Sequence, residues 1–164
     1  YEHGDIRLLI TQNDIRAIQL AKAALRAGID LLVEHAGNPE VLDIRLAGAF
    51  GAHIDPVYAM VLGLVPDCPL AGVRSVGNAA GAGAVKTLLS RSQRMEMETA
   101  VRKVTKIETA TEPRFQDLFI AAMAFPHAYA PCPNLESIMT LPPRIENSGS
   151  SEGGRDGQRR RRRS

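Results

Sequence analysis

Two short apolar runs that empty into small residues do most to limit what this chain can fold into. Ile44-Arg45-Leu46-Ala47 leads into Gly48-Ala49-Phe50-Gly51, and further on Val76 leads into Gly77-Asn78-Ala79-Ala80-Gly81-Ala82-Gly83. Each run is too short for a helix and reads as a buried strand, and a helical pattern follows each. Such strand-to-helix turns leave the main chain bare, so amides can approach a phosphate or a flat ring with no side chain in the way. The residues alone keep two readings open: a nucleotide site, or tight turns whose small residues let helix and strand pack closely. Neither turn is a Walker A loop, since no Gly-Lys-Ser/Thr follows, and neither has the glycine spacing of a dinucleotide loop.

The surrounding pattern alternates. Thr11 reads as an N-cap with Asp14 three positions on, opening a helix that runs to Ala36 and stops at Gly37. On its wheel Ile18, Leu20, Ala21, Leu25, Ile29, Leu31 and Leu32 fill an apolar arc wider than half the cylinder, which predicts a helix sandwiched between sheet and neighbours. Arg16, Gln19, Lys22, Arg26 and Asp30 share the remaining narrow stripe. That stripe is either a solvated face or a grip in which Gln19, Lys22 and Arg26 hold a purine edge or phosphate. A strand over 43–47 is followed by a helix from Pro56 to Leu62, capped by Asp55. A proline-punctuated loop over 63–72 leads to a strand over 73–76 and a small-residue helix over 78–89. Ser90-x-x-Gln93 opens a charged helix to Val104, and 105–109 alternates weakly as a third strand. Thr111-Glu112-Pro113 starts a last helix carrying Phe115, Leu118, Phe119, Ala122 and Phe125, ended by Pro126. Strand and helix in alternation predict an α/β fold.

The 164 residues make one domain or part of a larger one. The start at Tyr1 has neither an initiator Met nor a signal peptide, and predicts that the chain begins mid-protein. After Pro126 the text turns Pro-rich and then Ser/Gly/Arg-rich, so a domain over 1–126 and a disordered tail over 127–164 are expected. Residues 144–164 hold seven arginines against Glu146, Glu152 and Asp156, or +4 of a net +2, which leaves 1–143 mildly acidic at −2. The arginine run could meet nucleic-acid phosphates, but no aromatics interleave it, and it reads as a tail without function and without a nucleic-acid partner. No apolar run approaches the roughly 20 residues needed to span a bilayer. Cys68 and Cys132 give neither a disulfide framework nor a metal spacing, as expected of a reduced cytoplasmic protein. No Ser-His-Asp or Cys-His set can be assembled. His53 lacks partners at metal-ligand spacing, and among Asp5, Asp43 and Asp67 nothing singles out a magnesium ligand, so no metal site is assigned.

Several longer strings are specific. The stretch Ile10-Thr11-Gln12-Asn13-Asp14-Ile15-Arg16-Ala17-Ile18-Gln19-Leu20-Ala21-Lys22-Ala23-Ala24-Leu25-Arg26-Ala27-Gly28-Ile29 resembles the opening of the C-terminal ATPase region of the reductive activators of corrinoid proteins. Leu46-Ala47-Gly48-Ala49-Phe50-Gly51 with Ile54-Asp55-Pro56 is similar to that family too. So are Gly63-Leu64-Val65-Pro66-Asp67, Val76 through Gly81, and Phe115-Gln116 through Phe125-Pro126. The resemblance covers residues 5–126.

What this resemblance implies is an actin-like ATPase fold, in which two ribonuclease-H-like lobes close on ATP; this chain resembles the C-terminal portion of the second lobe. It implies nucleotide contacts at Gly48, Ala49, Phe50, Gly51, Gly77 and Asn78, with Gln19, Lys22 and Arg26 near the base. Ala49 stands where the superfamily's strand-end pair has its second glycine. ATP with magnesium is implied for the complete protein, and a 2Fe-2S cluster for an N-terminal ferredoxin domain whose cysteines this chain lacks. The first lobe, with its phosphate loop and metal-binding acids, is likewise not in the chain. Phosphoryl transfer needs metal, phosphate clamp and positioned water together, so this portion alone is expected to be inactive. The implied function is to couple ATP to the uphill reduction of a cobalt(II) corrinoid to cobalt(I). The partner is then a corrinoid protein or corrinoid-dependent methyltransferase. Two alternatives stay open: a non-catalytic docking or homodimerisation module, and an ATP-dependent enzyme of other specificity on the same fold.

Overall fold

The computed structural model describes residues 2–4 and 6–143. A two-residue hairpin, β1 (Glu2–His3) and β2 (Ile6–Arg7), precedes the long helix α1 (Gln12–His35). Then come β3 (Ile44–Ala47), α2 (Gly48–His53), α3 (Pro56–Leu62), a 3-10 turn at Leu70–Gly72 and β4 (Val73–Gly77). The helices α4 (Ala79–Leu89), α5 (Arg91–Val101), α6 (Phe115–Ala122) and α7 (Pro133–Glu136) complete the described chain. The mixed α/β architecture matches the expected class.

Helix α1 begins where Thr11 and Asp14 cap each other reciprocally: the Asp14 carboxylate accepts from the Thr11 amide at 2.7 Å and Thr11 Oγ1 accepts from the Asp14 amide at 3.3 Å. Its burial departs from the expectation from the wheel, though Leu31 of the expected arc is buried. Lys22, Ala23, Arg26, Ala27 and Leu31 are the buried residues, whereas Ile18, Leu25 and Leu32 stand roughly half exposed. Small Ala23 and Ala27 let another element approach closely, and α6 takes that side. Leu118 packs on Ala27 and Leu31, with Ile107, Phe115 and Phe119 around them. Lys22 and Arg26 of the polar stripe adjoin this contact and are carried inside with it, while Arg16 stays exposed.

The second core lies under the sheet. Ala59 and Met60 of α3 meet Val65, Cys68, Val73 of β4, and Cys132 and Leu135 at α7. Both thiols are buried and free; burial first, then the charges of Asp43 and Asp67, push the Cys68 thiol upward. β3 and β4 run parallel with Ile44 beside Val73, Arg45 beside Arg74 and Leu46 beside Ser75. A bulge then brings Ala47 beside Gly77.

Several local expectations are corrected. Residues 105–109 form no strand, since no partner edge runs beside them and only Ile107 reaches a core. The turn expected over 48–51 is already the start of a short helix, Gly48–His53, because Gly48 reverses the chain in one residue at φ +86°. The charged helix ends at Val101 and α6 spans only Phe115–Ala122. Residues 127–143, expected without order, fold back onto the domain. Asp67 accepts from the Asn134 amide at 2.8 Å and the Leu135 amide at 3.0 Å, capping α7 from across the chain and seating Leu135 in the core. Burying Leu135 and Cys132 offsets the entropy of ordering this proline-rich stretch. The expected tail over 144–164 lies outside the described residues.

Candidate functional site

The parallel register sets the two glycine turns next to each other. With Ala47 beside Gly77, α2 and the turn into α4 both leave the carboxyl ends of adjacent strands. In open α/β sheets that crevice is where ligands bind. Gly48 and Gly77 adopt left-handed backbone, at φ +86° and +61°. The space above each is open: a Cβ built on either would meet no heavy atom of the described residues within 4 Å, its chain neighbours aside. Ala49 is exposed beside them. Phe50 sits in α2, its side chain outside the described residues. Gly51 has a packing role, since a Cβ there would lie 2.8 Å from the Leu46 carbonyl carbon. Asn78 caps α4, its Oδ1 accepting from the Gly81 amide at 2.9 Å, while no side chain caps α2. A hollow of about 290 Å³ extends from Gly51 along β3 to Leu25 and Ile29 of α1.

Gln19, Lys22 and Arg26 form a second group, turned toward the chain's own main chain. Gln19 Nε2 donates to the Met123 carbonyl at 3.3 Å. Lys22 Nζ donates to the carbonyls of Ala124 and Pro126, the latter at 2.9 Å, and lies 4.6 Å from the centre of the Phe125 ring. Burial, with the Arg26 charge adding to it, pushes the Lys22 ammonium down to about 8. Arg26 donates from Nη1 to the Val65 carbonyl at 3.2 Å and from Nε to Asp30 at 2.8 Å. Burial of Asp30 works to raise its pKa, but the nearby His127 imidazole and the Arg26 guanidinium that donates to it prevail and lower it. The solvated-face reading of this stripe is therefore overturned, and its donors are engaged by protein acceptors.

Sequence patterning missed His127, which is 4 % exposed. Its Nδ1 accepts from the amides of Tyr129 and Ala130, at 3.4 and 3.1 Å, which sets the ring proton on Nε2 facing Asp30 at 3.6 Å. Only its position after Pro126 marked it, and periodicity carries no signal there.

Asp55 behaves as expected, its Oδ1 accepting from the Val57 and Tyr58 amides at 2.8 and 3.2 Å; His53 is exposed on α2. Asp43 is held by Arg45 and Arg74, each at 3.1 Å, and Asp67 by α7. Asp5 lies outside the described residues. No group of three His, Cys, Asp or Glu side chains fit for a metal ion exists among the described residues. No helix among them is long and apolar enough to cross a membrane.

Residues 2–136 match the family described as the C-terminal domain of RACo, the ASKHA domain. The chain is 42% identical over 120 residues to the corrinoid activation enzyme RamQ of Eubacterium limosum, across 72% of this chain and 20% of that protein. It is also similar to a solved reductive activator for corrinoid, iron-sulfur protein, with 34% identity and a TM-score of 0.65, covering 73% of this chain and 19% of that one. The chain thus spans about a fifth of each relative's length.

Proposed function

The chain belongs to the family of the C-terminal ASKHA domain of RACo, and from that premise we propose that it is the nucleotide-binding portion of an ATP-dependent reductive activator of corrinoid proteins. The observation that carries the reading is the adjacency of two strand-end turns, Gly48–Gly51 and Gly77–Asn78, with open space over Gly48 and Gly77. Main-chain amides at the start of α2 and α4 would face the adenosine and its phosphates, where helix N-termini favour negative charge. Gln19 and Lys22 hold the 123–127 turn against α1, and Arg26 ties α1 to the loop after α3 at the Val65 carbonyl, which keeps one wall of the domain rigid.

The residues described here do not make a magnesium site, because Asp43 and Asp67 already serve Arg45, Arg74 and α7. The acids for magnesium and the phosphate clamp are assigned to other parts of the activator polypeptide. The two buried cysteines cannot hold a 2Fe-2S cluster, which belongs to a ferredoxin domain elsewhere. The proposed partner is a corrinoid protein or a corrinoid-dependent methyltransferase. ATP-driven closure would be coupled to the electron transfer that returns cobalt(II) to cobalt(I), and this portion alone would not turn over.

Calorimetric titration of ATP into an intact activator containing this chain tests the site. Asn78→Asp keeps a good N-cap but adds a negative charge; Ala49→Leu adds bulk at an exposed position. Each should weaken ATP binding at least tenfold. Unchanged affinity in both variants would remove the turns from the nucleotide site.

A further inference from the structure

The turn between α4 and α5 is fixed by its side chains. Ser90 Oγ accepts from the Gln93 amide at 3.4 Å, and Arg94 Nε reaches back to the Thr87 carbonyl at 3.1 Å. The two helices meet along a groove that Gly83 and Thr87 line from α4, and Gln93, Met97 and Ala100 from α5. Those three positions mark the side of α5 turned to α4. At 100° per residue, Arg91, Met95, Glu98 and Arg102 stack in a line on the opposite side. All four are exposed, Met95 at 59 %. No residue of α5 is buried, and none joins either core.

The charge of this segment runs against that of the rest. Residues 91–106 hold five basic side chains against Glu96 and Glu98, or +3, while residues 1–143 together carry −2, so the body around the segment is left at −5. Elsewhere arginines sit on carboxylates: Arg26 on Asp30, Arg45 and Arg74 on Asp43, Arg114 on Glu34. Arg91, Arg102 and Lys103 have no such partner among the described residues. Helix stability does not explain their placement as a set. Arg102 and Lys103 suit the carboxyl end of α5, but Arg91 stands at its first position, where the helix dipole disfavours a cation.

We infer that this outer face of α5 docks a protein partner whose own face is acidic around an apolar centre, with Met95 seated in that centre. The unmatched cations of Arg91, Arg102 and Lys103 draw the acidic face in, and the flexible thioether of Met95 fills the contact between them. A lipid surface does not fit, because charges interrupt the line on both sides of Met95 and leave no continuous apolar side to bury. A nucleic acid does not fit either, because Glu98 stands within the line and α5 has no aromatic residue to stack on a base. A second copy of the face would set +3 against +3. The inference rests on the activator reading, for which it supplies the surface where the corrinoid protein binds, and it makes no use of the glycine turns.

Biolayer interferometry with a purified corrinoid protein that the activator reduces tests it. The activator is Eubacterium limosum RamQ with this chain in place of its matching segment. Arg91→Glu combined with Arg102→Glu and Lys103→Glu should weaken binding at least about tenfold at about 50 mM salt, mainly through slower association, and the difference should shrink at about 300 mM. Met95→Ser should weaken it by roughly threefold through faster dissociation, with the salt dependence unchanged. Arg16→Glu, at an exposed position of α1, should change the affinity less than about twofold. ATP affinity, measured by calorimetry, should hold in every variant, which separates this face from the nucleotide site. RamQ itself, with the outward basic residues of its aligned helix reversed, stands in if the hybrid does not fold. Corrinoid-protein binding that survives the triple reversal would overturn the docking face alone. No binding by the unaltered activator would overturn it together with the corrinoid reading. Dimerisation abolished by the triple reversal, with the corrinoid protein still bound, would give the face to a second copy and overturn the inference.

Discussion

Lys22→Met is the most informative substitution, because the lysine is wholly buried and its stability contribution depends on pH in a defined direction. Its ammonium is pushed from 10.5 down to about 8. The folded chain thus releases that proton before the unfolded chain does. Below pH 8 both states carry it, and the folded state bears the full cost of burying charge. Between pH 8 and 10.5 only the unfolded state is protonated, so stability rises with pH; above 10.5 the difference is constant. At about 1.4 kcal/mol per unit, the shift amounts to roughly 3 kcal/mol. Methionine puts an uncharged end in place of the ammonium over Phe125 and removes the titration, while leaving the carbonyls of Ala124 and Pro126 without their donor. Urea unfolding followed by circular dichroism at pH 7.5 and pH 10 separates the two effects. Wild type should gain roughly 2 kcal/mol on the variant between those values, with other titrating groups cancelling in the comparison. If the two proteins move in parallel within about 0.5 kcal/mol, the carbonyl-held ammonium is not a feature of the folded chain.

Two other substitutions probe how the C-terminal stretch is held. Gly63→Ala forces a Cβ to 1.8 Å from the Pro126 carbonyl oxygen at a residue with φ +71°; it should cost about 3 kcal/mol or more, and an unchanged thermal melt would contradict that close approach. Asp67→Ala should remove the cap on α7 at a cost of about 1–2 kcal/mol and speed modification of Cys132 by a thiol reagent, whereas unaltered labelling would mean that α7 is held by other contacts.

The elements that announce themselves in the sequence are those with local chemistry. Thr11 with Asp14, Asp55 before Pro56 and Ser90 with Gln93 mark three helix starts, and each side chain makes its expected cap bond. The strands leading to Gly48 and Gly77 were legible from their short apolar runs. What the wheel of α1 could not convey was which side another element would choose. A wide apolar arc predicts burial of Leu25 and Leu32, yet Ala23 and Ala27 decide the α6 contact, and the neighbouring Lys22 and Arg26 become internal because carbonyls of 65, 124 and 126 receive them. The order of residues 127–143 was equally hidden, since it depends on Asp67 reaching the start of α7. The turns at 48–51 and 77–78 could be read as sites of bare backbone, but only the bulged register shows that they are neighbours.

The stretch from Met123 to Leu135 works as a buckle. One end is fastened by a lysine in the middle of the long helix, the other by an aspartate in the loop after α3. Cutting the chain at Pro126 would therefore be felt far from the cut: Asp67 would face water, Asp30 would lose its imidazole neighbour, and α3 would lose the side chain of Leu135 from its underside. A boundary drawn where the prolines begin would sever a fastening, and the physical end of the folded unit lies beyond α7.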